Sequence, residues 1–297
     1  MRIGLFLLLL FILPLKGQVQ ILLNQEGEAF TDVPFFNPDV IRANHIKSME
    51  GNYSTKKTGE VIRETTDWFR YRFDENGRLI ESLDIRTVKN KKDSTLNQYQ
   101  YNTRNQLVAH RKTENGGFTN IKQTYDTLNR VESEGIYREL YHYQKDQVLQ
   151  SNLVNTEYFQ YILRPNEHEK VRFNSYKLPY LNEVRHYNSD GYLTEEKSNY
   201  RMSSIEHSTK YAYNDRGLLE SKSHYNEKDA LADEEWKYRY DLFGNLIEVH
   251  YFRYGQLQKD LQIVFDTKTQ LLGSTIQRDV ATNFMLILRF TKFTYYP

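Results

Sequence analysis

The sequence predicts an all-β protein, in which an array of antiparallel β-hairpins forms a long curved or spiralling open sheet. A seven-residue motif recurs about every 26 residues. It consists of an aromatic residue, Asp or Asn, two spacers, Gly or Asn, another spacer and an aliphatic residue. Many copies follow an alternation of aromatic and charged residues, which is typical of a strand with one buried face. The chain also has 24 Tyr and 16 Phe, which suits thin layers of amphipathic aromatics better than a thick aliphatic core.

Residues 1–17 have the features of a secretory signal peptide. Arg2 precedes an apolar run from Ile3 to Leu13, and the small residue Gly17 follows. The run is short for a membrane span, and no later segment reaches 18 consecutive apolar residues. We therefore expect an exported protein, periplasmic, cell-surface or secreted, with no transmembrane segment after cleavage.

Charge and composition limit the classes of partner. Removing residues 1–17 takes away Arg2 and Lys16 but no acidic residue, which leaves 38 basic and 39 acidic residues. Such a neutral chain has no long-range field for a phosphate backbone or an anionic bilayer. We expect no nucleic-acid partner and no general attraction to membranes. The chain contains no cysteine, which excludes thiol chemistry, and we predict no cofactor.

Residues 18–59 lack the motif and are interpreted as an N-terminal cap over the first edge of the sheet. Asn37 followed by Pro38 predicts the start of a short helix, with Asn37 as the N-cap. A strand is expected to follow through Ile46 and Ser48.

Residues 60–280 are interpreted as the hairpin repeats. The eight copies of the motif start at Phe73, Tyr101, Tyr125, Tyr143, Tyr187, Tyr213, Tyr240 and Phe265. The long gap between the copies at Tyr143 and Tyr187 indicates one eroded copy. About nine units of two strands each predict ~18 strands in one sheet.

Two other segments interrupt or end the array. Residues 150–182 contain Pro165 and Pro179, so we expect an irregular connection around this part of the repeats. Residues 281–297 include the strongly apolar "FMLILRFTKFTYYP" and are expected to form a C-terminal closing strand.

The stretch "YRYDLFGNLIEV", residues 238–249, shows how each copy folds. Asp241 is placed to accept hydrogen bonds from nearby backbone amides, and Gly244 supplies a left-handed residue. This pattern predicts a type I turn closed by a glycine bulge, with Tyr240 opposite Leu246. The predicted structural turn residues are Asp74, Gly77, Asn188, Gly191, Asn214, Gly217, Asp241 and Gly244.

The motif at this period resembles the YD repeat of the Rhs family. The matching stretches include "YRYDLFGNLIE", "YAYNDRGLLES" and "YRFDENGRLIE", and the resemblance covers roughly residues 60 to 275. In that family the repeats form a long antiparallel sheet that spirals into a hollow shell, often around a C-terminal toxin. This chain has too few repeats for a large shell, and we expect no toxin after residue 280. The resemblance implies a short secreted bacterial member without a toxin-delivery role.

No catalytic or metal-binding residue is predicted. Carboxylates in the turns are the candidates for a glycosidase pair, namely Asp74, Asp126, Asp241 and Asp266. Asn replaces Asp in other copies, and this exchange favours turn formation as their role. Histidines beside strand aromatics, namely His142, His186, His224 and His250, lack the spacing of zinc ligands. His168, in "NEHEK", is interpreted as part of a solvated loop.

The tryptophans Trp68 and Trp236 are the predicted ligand-binding residues, because they sit among alternating basic and aromatic residues. The competing interpretation is that the aromatics pack between hairpins while the basic residues pair with acids across strands. We expect a non-catalytic binding or scaffold module for glycan or protein at the bacterial cell envelope. The alternative is a polysaccharide hydrolase with carboxylates in a concave site. An outer-membrane barrel is disfavoured by the recurring charges of Glu81, Glu220 and Glu248.

Overall fold

The computed structural model describes residues 24–28, 36–89, 91–114, 116–142, 147–226 and 231–297. The expected signal peptide lies outside them. The described chain contains a helical turn at Asn24–Glu26, the helix α1 and eighteen strands. None of the described helices is long and apolar enough to cross a membrane.

The bounds are α1 (Pro38–Ala43), β1 (Ile46–Lys56), β2 (Arg63–Phe73), β3 (Leu79–Val88), β4 (Lys91–Tyr101), β5 (Leu107–Glu114), β6 (Gly117–Tyr125), β7 (Val131–His142), β8 (Gln147–Arg164), β9 (Glu167–Phe173), β10 (Pro179–Tyr187), β11 (Leu193–Tyr200), β12 (Glu206–Tyr213), β13 (Leu219–Asn226), β14 (Glu234–Tyr240), β15 (Leu246–Arg253), β16 (Gln256–Phe265), β17 (Leu272–Asp279) and β18 (Met285–Tyr295).

The all-β prediction and the expected number of strands are confirmed, but the sheet is closed. Each strand pairs antiparallel with the next, and β1 also pairs with β18, so the eighteen strands form a barrel. The prediction of an open curved or spiralling sheet is therefore wrong. The reason is β1, which bonds to β2 on one side and to β18 on the other and leaves neither end of the array with a free edge. Gly51 permits this pairing, because a Cβ there would lie 2.0 Å from the Arg289 carbonyl oxygen.

The helix predicted from Asn37 and Pro38 is present, but the N-terminal segment does not cover a sheet edge. The Asn37 side chain accepts from the Asp39 amide at 3.0 Å and caps α1. Just before it, the Phe36 ring packs edge-on against Tyr71 and Phe73, with centroids 4.9 and 5.1 Å apart. The segment thus lies inside the barrel and supplies apolar surface to its core.

The hydrophobic core fills one side of the barrel, between the N-terminal segment and the alternating aromatics of the strands. Trp236, Tyr238 and Tyr240 all contact this core, and we call the sheet face they share the inner face. Lys237 and Arg239 alternate with them and belong to the outer face. Aromatic side chains therefore pack between hairpins in the core, as the competing interpretation of the alternating aromatics expects.

Seven of the eight repeat turns lie together at one end of the barrel, because they join even-numbered strands to the odd-numbered strand that follows. We call this end the repeat-turn end and the other the opposite end. The predicted copy that starts at Tyr143 falls between β7 and β8, and residues 143–146 lie outside the described part of the chain. Tyr240 pairs with Leu246 beside a bulge. Asp241 Oδ1 accepts from the Phe243 amide at 2.9 Å, and Gly244 has a φ of 89°. Positive φ recurs at Gly77, Asn105, Asn129, Gly191, Gly217 and Gln270.

The aromatic residue that opens a repeat also ties it to the preceding repeat, through a hydrogen bond that the sequence pattern alone does not predict. The Tyr240 hydroxyl donates to the Leu219 carbonyl at 2.6 Å, and we call such bonds tyrosine bridges. Equivalent bonds join Tyr101 to Leu79, Tyr125 to Leu107 and Tyr213 to Leu193. Tyr161 opens none of the eight copies but forms the same kind of bridge to Val131. These bonds give a physical reason for tyrosine, rather than phenylalanine, at this position.

Residues 150–182, expected to be irregular, form most of β8, all of β9 and the start of β10. Pro165 lies in the short connection between β8 and β9, and Pro179 is the first residue of β10, where the missing amide donor is tolerated. A turn of the repeat type is found here at the opposite end. Its Asn174 Oδ1 accepts from two following amides at 3.0 Å, and Lys177 has a φ of 60°.

Candidate ligand site in the barrel

The inner face is polar on the side of the barrel away from the hydrophobic core. A cavity of about 530 Å³ lies there, walled by β8 to β11 and by the N-terminal turn. We call it the lumen cavity. Its lining side chains include Glu26, Arg130, Tyr161, Leu163, His168, Lys170, Arg172, Glu183, Arg185, Tyr187 and Glu196.

Strand register places the charged side chains of the lumen cavity beside one another. Tyr161 on β8 pairs with Lys170 on β9, and Lys170 pairs in turn with Glu183 on β10. His168 is likewise opposite Leu163 and opposite a residue of β10. The prediction that His168 belongs to a solvated loop is therefore wrong, since it lies within β9 and lines the cavity.

One ion pair of the lumen cavity joins Arg172 to Glu183 through two hydrogen bonds. The guanidinium Nε and Nη2 donate to the two carboxylate oxygens at 2.9 and 2.8 Å, which is the two-point geometry that favours arginine. Lys170 Nζ lies 3.5 Å from the same carboxylate. Burial acts to raise the pKa of Glu183, but the Arg172 hydrogen bonds and the Lys170 charge outweigh it, so the pKa is lowered. Glu183 is therefore held as a carboxylate.

A second group of charges connects the sheet to the N-terminal turn. Arg185 bonds to Glu196 on β11 at 2.8 Å and also lies 3.4 Å from Glu26. The Tyr187 hydroxyl donates to Glu26 at 3.1 Å, and burial, then the Glu26 charge, raises the tyrosine pKa. The structure thus brings two carboxylates to one guanidinium in a concave site.

Tyrosine rings form the apolar part of the wall. Arg130 stacks over the Tyr161 ring at 4.7 Å from its centroid, and the Tyr161 hydroxyl is engaged in a tyrosine bridge to Val131. Both interactions fix the ring orientation. A rigid aromatic surface beside paired donors and acceptors is typical of sites that bind polar organic ligands.

The predicted binding residues Trp68 and Trp236 are not brought together. Trp236 contacts the core on the inner face and lies 5.3 Å from Tyr251, centroid to centroid. Trp68 alternates with Phe69 and Tyr71, which are inner-face residues, and therefore belongs to the outer face. Neither tryptophan lines the lumen cavity.

The turn carboxylates are spread along the repeat-turn end, each in its own hairpin. Asp126 accepts from the backbone amide and the side chain of Arg130 at 2.9 and 2.7 Å. These bonds, led by the one to the backbone, lower the pKa of Asp126 despite an opposing effect of desolvation. Bonds from Thr269 lower the pKa of Asp266 in the same way. Such carboxylates stay ionised and shape turns.

The other sequence candidates have structural partners. Within the described residues, no group of three or more His, Asp or Glu side chains is placed to hold a metal ion; the side chain of His142 lies outside them. On the outer face, Arg70 pairs with Glu81 at 2.9 Å and Arg239 with Glu248 at 2.9 Å, both across strands. Lys237 pairs instead with a glutamate of its own strand.

The residues of the lumen cavity were missed because their segment was interpreted as a decayed repeat. A signal was present, since "HEKVR" in β9 and "EVRHY" in β10 place charged or aromatic residues at every second position. Period-two alternation of charge without aliphatics predicts a strand with a wet inner face. Glu26 gave no such signal, because it joins Arg185 across 159 residues of sequence.

Comparisons with known proteins give only distant structural similarity. No protein-family model matches the sequence, and no curated protein matches it. A porin-like protein from Bacteroides uniformis is 9% identical, with 84% of this chain and 98% of that chain covered and a TM-score of 0.40. A TcdB2-TccC3 structure is 13% identical over 76% of this chain and 16% of that chain, with a TM-score of 0.25. A DUF1329 family protein from Desulfovibrio piger is 9% identical, with 87% of this chain and 88% of that chain covered and a TM-score of 0.22.

Proposed function

We propose that this protein is an exported, non-catalytic barrel of the bacterial cell envelope that binds a glycan in the lumen cavity. The observation that carries the proposal is the cavity wall, where tyrosine rings adjoin ion pairs whose partners satisfy each other. Export is supported by the signal-peptide features of residues 1–17. The repeat resemblance supports an envelope role for a short secreted member of the YD-repeat family.

Charge balance favours an uncharged, hydroxyl-rich ligand. Two cations, Arg172 and Lys170, surround the Glu183 carboxylate. Two carboxylates, Glu26 and Glu196, surround the Arg185 guanidinium. The excess charges of these two neighbouring groups are opposite and cancel, so together they offer no net charge to a phosphate or a metal ion. A sugar hydroxyl both donates and accepts, and can therefore bridge the two members of such a pair without separating them. The tyrosines of the cavity wall, Tyr161 and Tyr187, give the apolar side of a sugar ring an aromatic surface to contact.

The proposal is tested by narrowing the lumen cavity. Leu163→Trp fills space in the cavity wall and leaves every ion pair in place. The matched control is Ile162→Trp, at the neighbouring position of β8 on the outer face, where the native side chain is also about half exposed. We expect a glycan panel, followed by calorimetry, to find a ligand whose affinity falls at least about tenfold in Leu163→Trp and is unchanged in the control.

Two results would contradict glycan binding in this cavity. One is the absence of any retained glycan with the mature chain. The other is equal affinity in Leu163→Trp and the unmodified protein, which would move the ligand elsewhere.

A hydrolase is the second candidate, and the Arg185 site with Glu26 and Glu196 is the observation that favours it. A two-carboxylate mechanism needs one acid kept protonated near neutral pH, whereas both acids here contact an arginine. We expect no release of reducing ends from any glycan that binds. Release that disappears in Glu196→Gln would establish the hydrolase instead.

A further inference from the structure

Two neighbouring connections at the opposite end expose apolar side chains next to a cation. The β9–β10 connection contains Tyr-Lys-Leu at 176–178, and the β11 end and following turn contain Tyr-Arg-Met at 200–202. Tyr176 is 82% exposed and Met202 fully exposed. We call residues 176–178 and 200–202 together the two-loop tip.

The two connections form one surface. The Arg201 amide donates to the Tyr180 carbonyl at 3.0 Å, and its Nε donates to Asn182 Oδ1 at 2.9 Å. The rings of Tyr180 and Tyr200 lie 6.4 Å apart, centroid to centroid. These contacts join the β11–β12 turn to the start of β10, so the apolar side chains of both loops project from the same part of the barrel end.

Among the described residues, neither Lys177 nor Arg201 of the two-loop tip forms an ion pair, and the nearest acids, Glu157 and Glu169, bond to Tyr180 and Asn182 behind the tip. Residues 174–182 and 200–205 contain no Asp or Glu. Lys177 Nζ lies over the Tyr158 ring at 5.4 Å from its centroid, and Arg201 bonds to a neutral amide. This differs from the outer face of the barrel, where Arg70 and Arg239 are each paired with a glutamate.

We propose that the two-loop tip docks on the surface of an anionic lipid bilayer. Met202, Tyr176 and Leu178 enter the headgroup region, where amphipathic aromatics and short apolar insertions are favourable. Lys177 and Arg201 contact anionic headgroups, each adding an attraction that decays over about a Debye length. The near-neutral charge of the whole chain argues against a general attraction to membranes. It does not argue against binding through a local group of cations such as Lys177 and Arg201.

The binding of the mature chain to sedimented vesicles tests the proposal. We expect it to bind vesicles of phosphatidylethanolamine and phosphatidylglycerol and to bind phosphatidylcholine vesicles much less. The double variant Leu178→Ser/Met202→Ser is expected to lower binding by about tenfold or more, through lost apolar insertion. Lys177→Gln is expected to lower it about fivefold, and added salt to act in the same direction.

The matched control is Leu242→Ser/Phe243→Ser, which removes two exposed apolar side chains from a turn at the repeat-turn end. It should bind anionic vesicles like the unmodified protein. Urea unfolding of all variants verifies that they are folded.

Equal loss in the control and the tip variant, or no preference for anionic vesicles, would overturn the proposal. A different result would also overturn it: sedimentation detects an oligomer, and the Leu178→Ser/Met202→Ser variant alone dissociates this oligomer without any change in vesicle binding. That result would show that the two-loop tip contacts protein. The docking site is separate from the lumen cavity, so glycan affinity should not change in any of these variants.

Discussion

The two ends of the barrel are formed by the same strands and stabilised in different ways. At the repeat-turn end, an Asp or Asn caps most turns, as Asp241 does by accepting from two backbone amides, and tyrosine bridges tie successive repeats together. At the opposite end, connections range from the tight β5–β6 turn to the longer β11–β12 turn with its fully exposed Met202.

This difference explains how a repeat array holds both a core and variable surfaces. The repeat-turn end concentrates the local hydrogen bonds that set register, so changes there should cost stability. Fewer of the described turns at the opposite end are capped in this way, Asn174 and Asp279 being examples, and that end is more open to change in sequence. In each hairpin, the turn at the repeat-turn end therefore contributes mainly to stability, and the connection at the opposite end mainly to surface chemistry.

The largest expected difference between the ends is at two glycines with the same backbone conformation. Gly77, at the repeat-turn end, has a φ of 79°, and Gly116, at the opposite end, a φ of 78°. A Cβ on Gly77 would lie 2.0 Å from the Pro38 carbonyl oxygen, whereas one on Gly116 meets nothing within 4 Å. We expect Gly77→Ala to cost about 3 kcal/mol or more of unfolding free energy and Gly116→Ala about 1 kcal/mol.

Urea unfolding followed by tryptophan fluorescence measures both changes. Since the conformational strain is common to the two variants, the difference between them isolates the contact with α1. Equal losses in the two variants would show that the approach of α1 to the β2–β3 turn adds nothing to stability.

A smaller difference is expected for the tyrosine bridges. Tyr240→Phe removes the hydroxyl that donates to the Leu219 carbonyl and leaves a partly buried acceptor unpaired, so we expect a loss of about 1 to 1.5 kcal/mol. Tyr254→Phe, at the opposite end, alters an exposed side chain and should change stability by less than about 0.5 kcal/mol.

Thermal unfolding of the two variants, at matched protein concentration, compares them directly. If Tyr240→Phe unfolds at the same temperature as the unmodified protein, the tyrosine bridges do not contribute to the stability of the array. A similar loss in Tyr254→Phe would remove the distinction between the two ends.

The local unit was predictable from the sequence because its causes are local. The pairing of Tyr240 with Leu246 follows from the turn residues between them. The placement of the tryptophans on opposite faces was also readable, since Trp236 lies four residues before the aromatic of its repeat and Trp68 lies five before Phe73. An even spacing keeps the face and an odd spacing changes it.

Closure and the lumen cavity were not predictable, because both depend on contacts between distant parts of the chain. β1 lacks the motif, and its pairing with β18 joins Ile46 to Tyr295. The approach of Glu26 to Arg185 depends on where the N-terminal segment enters the barrel. Neither contact has a local residue pattern that specifies it.

The smallest expected effect concerns the loss of stability at acid pH. The comparison is between one carboxylate at each end of the barrel. The pKa of Asp126, at the repeat-turn end, is lowered chiefly by the backbone bond from Arg130. The pKa of Asp279, at the opposite end, is lowered chiefly by the Thr282 hydroxyl. A carboxylate whose pKa is lower in the folded state adds stability above its unfolded pKa, and this is lost as the pH falls through the folded value.

Unfolding in urea from about pH 7 down to about pH 2 tests both residues. Asp126→Asn should fold as the unmodified protein does at pH 7, because Asn102 forms the same turn with its own amide oxygen. Its stability should then fall less steeply below about pH 4. Asp279→Asn should also make stability fall less steeply below about pH 4, but by a smaller amount. The carboxylate of Asp279 is stabilised mainly by the Thr282 hydroxyl, whereas that of Asp126 is stabilised by two backbone amides and an arginine. A larger change in Asp279→Asn would place the acid-sensitive turn at the opposite end and reverse the comparison.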